Sequence, residues 1–305
     1  MTLILGVPGD RSLWILADRR LSYADGQPPK DDARKLMTLE ATDGQAVLGY
    51  AGLGSTALGT EPADWMASTL RGHNLPLEQM LAVLADAAQR QLPQHLDLLR
   101  RDRSSAHVIV AAALVGGHSR LYTIDLVPNA SQRGAYWFRF THHMFQAGPP
   151  DAHRPPRIFL AGSGARALDR DKTWQRPLME LVRRYERGEL PAARVADYLA
   201  SLNHRSRRGT ADQTVGPNCV VLWRPDASLQ MNGSHQCFEG VHPVAAAISI
   251  PAIGNGLPLH DIAEAIVDLM RERTEAGIDR EKLFDHDAMN ERLRSVSDEP
   301  DDRLR

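Results

Sequence analysis

The order of apolar runs along the chain most constrains its fold. Short runs at residues 2–7 and 12–17 flank a Pro-Gly turn and predict a β-hairpin. After them, paired strands alternate with paired helices, which favours antiparallel sheets under helical layers over repeated βαβ units. The further predicted strands are 35–40, 45–51, 106–115, 119–126, 135–140, a strand opening 158–167, and 218–223, and the predicted helices are 62–71, 76–102, 174–187, 191–204, 258–276 and 280–295.

Composition excludes several classes of function. The 305 residues are 43% hydrophobic and carry a net charge of −2, which gives no electrostatic reason to expect binding to nucleic acid or to an anionic membrane. Neither a membrane span nor a signal peptide is visible, so we expect a cytoplasmic protein. Cys219 and Cys237 lack metal or disulfide spacing, and the histidines, including His142 and His143, lack ligand spacing. We therefore expect neither a metal nor a cofactor.

Thr2 stands directly behind Met1. A small second residue normally permits removal of Met1, and no propeptide is then needed to expose Thr2. A terminal threonine carries a hydroxyl and a free α-amine, which together supply a nucleophile and its base.

Several further residues follow Thr2 in a suggestive order. Asp18 ends the second strand in the segment LADRRLS, and Lys35, one of only four lysines, begins the third strand. Glycine turns follow at 51–54 and 161–164, and Asp212 precedes the segment TVGPN. A lysine in an arginine-rich chain suggests an amine that must be able to lose its proton.

This series resembles the proteasome β-subunit family of N-terminal nucleophile (Ntn) hydrolases, including its bacterial homologues. The resemblance covers about residues 2–230, and the interval of 16 residues between Thr2 and Asp18 matches the family. It implies an α+β fold, a four-layer αββα sandwich of two stacked antiparallel sheets flanked by helices. The implied function is a threonine protease or amide hydrolase acting on peptide or amide substrates, with possible assembly into a homo-oligomer or ring.

The resemblance also implies residue roles. Thr2 would be the nucleophile, Lys35 would favour its deprotonated forms, and Asp18 would hold Lys35. The N–H of Gly52 would stabilise the oxyanion. The remaining implied residues are Ser163 and Asp212 as support for the α-amine, and Ser22 and Gly54 as binders of the extended substrate.

Two features depart from the family pattern. Val215 stands where a serine is usual, so one hydrogen bond to the α-amine is missing or is supplied by Thr214. One additional residue also separates Asp18 from Lys35. A catalytically inactive proteasome-like subunit or scaffold is therefore an open alternative.

Other interpretations of single residues are also open. Asp18 could cap a turn, and Lys35 could be a solvated charge. The Gly162–Gly164 turn could bind an anionic ligand in an unrelated enzyme. We expect an Ntn-hydrolase domain over 1–240, a helical extension packed on it over 241–295, and a flexible tail over 296–305.

Overall fold

The computed structural model describes residues 2–21, 28–99, 107–129, 135–143, 157–210, 214–229, 233–245, 248–278 and 286–297. This part of the chain has an α+β fold with two large, mostly antiparallel sheets and seven α-helices, which confirms the α+β, two-sheet part of the predicted fold. No helix within these ranges is long and apolar enough to cross a membrane.

The element bounds lie close to the predicted ones through most of the chain. The strands are β1 (Ile4–Pro8), β2 (Ser12–Asp18), β3 (Leu36–Ala41), β4 (Gly44–Ala51), β5 (Val108–Val115), β6 (His118–Pro128), β7 (Tyr136–His143), β8 (Phe159–Ala161), β9 (Asn218–Pro225), β10 (Ser234–Glu239), β11 (His242–Val244), β12 (Ala252–Gly254) and β13 (Leu257–Pro258). The helices are α1 (Pro62–Leu70), α2 (Leu77–Leu98), α3 (Ala165–Asp169), α4 (Gln175–Glu186), α5 (Ala192–Gly209), α6 (Leu259–Glu275) and α7 (His286–Ser297).

The two sheets pack against each other through buried side chains of the first hairpin and of β3, β4 and β5. One sheet has the strand order β11-β10-β9-β2-β1-β8 and the other β13-β12-β3-β4-β5-β6-β7. Every pairing is antiparallel except that of β12 with β3. In the hairpin, Ile4 lies opposite Ala17, which places the start of β1 beside the end of β2.

The alternation of side chains explains why the opening strands are apolar throughout. In β1, Leu5 and Val7 pack in a cluster with α3, α4 and α5, whereas Ile4 belongs to a second cluster shared with β3, β4 and β5. A third cluster packs α1 and α2 against the strands from β3 to β7. Both faces of β1 and β2 are covered, so these strands do not alternate between apolar and polar residues. Their only polar residues, Ser12 and Asp18, are the first and last residues of β2.

The C-terminal part of the chain differs most from its prediction. Residues 241–295 were expected to be a helical extension, yet they also contribute β11, β12 and β13. β12 adds to the sheet as the parallel neighbour of β3, and Thr38 N–H donates to Pro251 O at 3.0 Å. Three-residue strands give too short a pattern to detect by periodicity. α7 includes residues 296 and 297, and the remainder of the expected tail lies outside the described residues.

Candidate active site at the end of the first hairpin

The hairpin register brings Thr2 and Asp18 together. Asp18 N–H donates to Leu3 O at 3.1 Å, which continues the β1–β2 ladder by one residue. Thr2 is therefore next to the Asp18 side chain, and its hydroxyl donates a hydrogen bond to Asp18 Oδ1. Thr2 is only 3% exposed and Asp18 is fully buried. A buried carboxylate of this kind needs partners for all of its oxygen lone pairs.

Asp18 is surrounded by donors. Five groups among the described residues donate to it, three of them main-chain N–H groups whose positions the fold fixes. The donors are the Thr2 hydroxyl, Leu3 N–H (2.7 Å) and Lys35 Nζ (3.2 Å) to Oδ1, and Arg20 N–H and Gly216 N–H (both 3.1 Å) to Oδ2. This arrangement holds the carboxylate in one orientation, and the turn-capping bond from Arg20 N–H is only one of its five contacts.

Lys35 reaches Thr2 and Asp18 from the position directly before β3. Its Nζ donates to Thr2 Oγ1 at 2.5 Å, to Asp18 Oδ1 at 3.2 Å and to Arg20 O at 2.6 Å. The residue is 3% exposed, so it is not a solvated charge at a strand edge. Burial lowers the pKa of the Lys35 ammonium, and Asp18 opposes that shift through its charge and its hydrogen bond. The amine is thus closer to losing its proton than an exposed lysine would be.

The 161–164 turn lies against the other side of Thr2. Gly164 N–H donates to Thr2 O at 3.3 Å. Gly162 has a positive φ of 87°, and a Cβ at this position would lie 1.9 Å from Thr2 O. Only glycine permits this approach, so the turn fixes the main chain of Thr2 rather than offering open space for an anion.

Ser163 in this turn contacts the segment that follows α5. Its hydroxyl shares a hydrogen bond with Thr214 Oγ1 at 2.7 Å. Val215, the departure from the expected serine, is fully buried in the cluster with α3, α4 and α5. Its side chain therefore serves the core. Asp212 lies outside the described residues.

The 51–54 turn lies at the same end of the sheets. Tyr50 N–H donates to Lys35 O at 3.2 Å, so the turn begins beside the site lysine. A Cβ on Gly54 would lie 3.3 Å from Leu21, one residue beyond the carbonyl that binds Lys35. Gly52 has a φ of 144°, which favours glycine. Ser22 lies outside the described residues.

Sequence reasoning missed several groups around this site. Gly216 N–H and the Arg20 main chain bind the site residues, and the Arg20 guanidinium is held by Asp31 through two bonds of 2.7 Å. The phenol of Tyr50 and the imidazole of His107 lie beside the 51–54 turn. Main-chain donors carry no residue-type signal, but an arginine and an aspartate eleven residues apart across a predicted loop could have been weighed as a pair.

No group of three or more His, Cys, Asp or Glu side chains within the described ranges could hold a metal ion. The site is instead a threonine hydroxyl held between a lysine and an aspartate, all three buried.

Comparisons with known proteins give structural neighbours only. No family model and no curated protein matches the chain. Similar solved structures include an Anbu Gly-1 mutant from Hyphomicrobium sp. strain MC1 (14% identity, TM-score 0.47, covering 78% of this chain and 88% of that one). Others are Anbu, an ancestral β-subunit, from Yersinia bercovieri (12%, 0.42, 73% and 81%) and the helical assembly of the Anbu complex from Pseudomonas aeruginosa (15%, 0.45, 89% and 96%). At these identities and TM-scores we assign neither a family nor an activity.

The resemblance to the proteasome β-subunit family, including its bacterial homologues, is accordingly wrong as an assignment. No family model supports it, and the similar solved structures are Anbu proteins at low identity. The motifs behind it are each one to three residues long, and local requirements alone can place such short pieces, as at the strand end of Asp18 and the close approach at Gly162. Any functional conclusion must therefore come from the site itself.

Proposed function

We propose that this chain is a threonine-type N-terminal nucleophile amide hydrolase that acts as a peptidase, with Thr2 as nucleophile after removal of Met1. The observation that carries the proposal is the Thr2 hydroxyl, held between Lys35 Nζ and the Asp18 carboxylate in a buried setting. A hydroxyl is a weak nucleophile unless a base and a neighbouring charge are positioned to activate it. As part of this proposal, the two sheets and the helices that cover them form a four-layer αββα arrangement.

Each residue at the site has a chemical role in this proposal. The freed α-amine of Thr2, with an ordinary pKa of about 7.7–8.0, takes the hydroxyl proton, through a water where needed. Lys35 donates to Oγ1 and lowers the cost of forming the alkoxide. Asp18 holds Lys35 and the Thr2 main chain in register. Oγ1 then attacks the amide carbon, the amine leaves with a proton, and water hydrolyses the resulting ester.

The surrounding turns complete the proposed site. The Gly52 N–H donates to the oxyanion of the tetrahedral intermediate, where one such donor contributes about 10²–10³ in rate. Ser163 and Asp212 support the α-amine, and Ser22 and Gly54 bind the extended substrate by strand addition. The contact between Thr2 O and the 161–164 turn supports the role proposed for Ser163, because this turn binds the carbonyl of the same residue that carries the α-amine.

The test is covalent labelling at Thr2. Intact mass spectrometry should show a chain that has lost Met1, and a peptide epoxyketone should add one probe mass at Thr2, because this probe reacts with a hydroxyl and a free amine on the same residue. Thr2→Ser keeps both groups and should still be labelled, whereas Thr2→Ala should not. Hydrolysis of short peptide amides should follow the same pattern.

Two results would overturn the proposal. One is a purified protein that keeps Met1 and shows the same amidase activity as the trimmed form. The other is amidase activity that Thr2→Ala leaves unchanged. Thr69→Ala, which removes a buried threonine hydroxyl in α1, is the matched control and should keep full labelling.

Two further expectations accompany the proposal. A homo-oligomer, as a ring or otherwise, stays a prediction that size-exclusion chromatography with light scattering can test. The cytoplasmic location likewise stays a prediction.

A further inference from the structure

A buried Tyr-His pair lies beneath the 51–54 turn. Tyr50 OH and His107 Nδ1 are 3.0 Å apart, and the residues are 3% and 4% exposed. The same phenol oxygen accepts the Leu53 N–H at 3.2 Å, so it links both ends of the turn. Burial raises the pKa of Tyr50, which keeps the phenol neutral and its O–H available as a donor.

The imidazole also fills the space behind Gly52. A Cβ on Gly52 would lie 2.4 Å from His107 Nδ1, so the ring packs against the α-carbon of this residue. A φ of 144° is one that residues with a side chain rarely adopt, so glycine permits this backbone course against the His107 ring. His107 supplies the wall on one side, and the Tyr50–Leu53 hydrogen bond fixes the chain on the far side.

From these contacts we infer that Tyr50 and His107 are positioning residues that aim the Gly52 N–H at the oxyanion. The inference rests on the proposed function. Leu53 N–H donates to the phenol oxygen, and in this inference the phenol O–H is the donor to His107 Nδ1, in the tautomer that carries its proton on Nε2. The pair thus needs His107 as an acceptor at Nδ1.

Two electrophiles separate positioning of the oxyanion donor from general damage to the site. A β-lactone is attacked by Thr2 Oγ1 at its carbonyl carbon, the ring C–O bond breaks, and the ring oxygen leaves with a proton, by way of an oxyanion. A vinyl sulfone is attacked at its β-carbon and takes the proton at its α-carbon, without a carbonyl oxyanion. Both probes need Thr2, Lys35 and the α-amine, but only the lactone needs the Gly52 N–H.

Tyr50→Phe should slow labelling of Thr2 by a β-lactone about 10- to 100-fold, the size expected when a donor is misplaced by about 1 Å. Labelling by a vinyl sulfone should stay within about twofold, since it does not use the donor. His107→Leu should give the same split, and His107→Asn, whose amide oxygen can accept the phenol proton, should recover part of the lactone rate. Tyr122→Phe is the matched control, because it removes a phenol in the same sheet that binds Glu78 instead.

The outcomes discriminate between the two ideas. Equal slowing of both probes in Tyr50→Phe, or no slowing of either, would overturn the positioning role and leave the proposed function intact. A wild-type protein, trimmed of Met1, that neither probe labels would overturn the proposed function and the positioning role with it. A selective loss of the lactone rate, with recovery in His107→Asn, supports the inference.

Discussion

Arg34 and Lys35 are sequence neighbours that directly precede β3, and their side chains enter opposite kinds of environment. Lys35 is 3% exposed and binds Asp18, Thr2 and the Arg20 carbonyl. The Arg34 side chain is 40% exposed and lies 2.8 Å from Asp64 at the start of α1. Lys35 thus places its charge in the candidate site, whereas Arg34 places its charge in a half-exposed ion-pair network.

The two environments differ in what holds the charges. Around Asp18, three of the five donors are main-chain N–H groups, which the fold positions whether or not the lysine is charged. Around Arg34, the partners are the carboxylates of Glu61 and Asp64, whose side chains remain partly in water. Buried charges are costly unless every partner is in place, whereas exposed pairs contribute little each. Substitutions in the two environments should therefore differ in how much stability they remove and in whether they affect labelling at Thr2.

The largest effect should come from Asp18→Asn. An amide has one acceptor oxygen and one donor group, so one side of it must oppose N–H donors that the carboxylate now accepts. The Lys35 ammonium also loses its buried counter-charge. We expect the free energy of unfolding to fall by about 3–5 kcal/mol in urea denaturation, and labelling at Thr2 to be lost. A variant within 1 kcal/mol of wild type, on the order of an exposed pair, would contradict this account of the site.

The next effect compares Lys35→Met with Arg34→Met. Lys35→Met leaves the buried Asp18 carboxylate without its counter-charge, so it should lower the free energy of unfolding by about 3 kcal/mol, while three main-chain N–H groups still bind that carboxylate. Labelling at Thr2 should nevertheless fall about 10²- to 10⁴-fold, because the hydroxyl loses the group that favours its deprotonation. Arg34→Met should cost about 0.5 kcal/mol and leave labelling unchanged. Similar labelling of the two variants would mean that Lys35 has no chemical part.

This contrast also explains what could be predicted from the sequence. The hairpin, the α+β class and the strands through β9 follow from apolar runs bounded by Gly and Pro, which depend on local chemistry. The approach of Thr2, Asp18 and Lys35 could be proposed because strand ends meet at one edge of a sheet. The bonds from Leu3 and Gly216 could not, because a main-chain N–H looks the same at every position.

The short C-terminal strands escaped prediction for a different reason. β12 is three residues long, and its place beside β3 depends on a contact between positions more than two hundred residues apart. No local pattern carries such a pairing. Asp212 and Ser22, which lie outside the described residues, stay predictions, and the roles of the other site residues also await the labelling experiments.

A smaller effect is expected at Glu61 in the exposed network. Burial alone would raise the pKa of Glu61, but the hydrogen bonds from Lys30 Nζ and Arg34 N–H outweigh it and lower the pKa. A lowered folded pKa contributes stability above the unfolded pKa and loses it as pH falls. Glu61→Gln should therefore cost about 1 kcal/mol at pH 7 and less at pH 4, a figure reduced for the exposure of Lys30. An equal cost at both pH values would show that the charge of Glu61 contributes nothing.

The most subtle effect is at Asp64, which responds to pH in the opposite direction to Glu61. Burial raises its pKa from 3.8 to about 6, helped by Glu61 and Asp261 and opposed by Arg34 and His260. Between about pH 4 and pH 6 the folded protein keeps a proton at Asp64 that the unfolded chain has lost. The free energy of unfolding therefore falls as pH rises through this window, by about 1–2 kcal/mol after allowing for solvent screening.

Asp64→Asn should remove this slope. Urea denaturation at pH 4.5, 5.5 and 6.5 should show that the variant loses less stability than wild type as pH rises, even though it also loses the ion pair with Arg34. Asp86→Asn, which breaks an exposed pair with Arg90, is the matched control and should keep the wild-type slope. If Asp64→Asn and Asp86→Asn give the same slope, the Arg34 ion pair outweighs burial at Asp64, and the contrast between the surroundings of Arg34 and Lys35 would then rest on the candidate site alone.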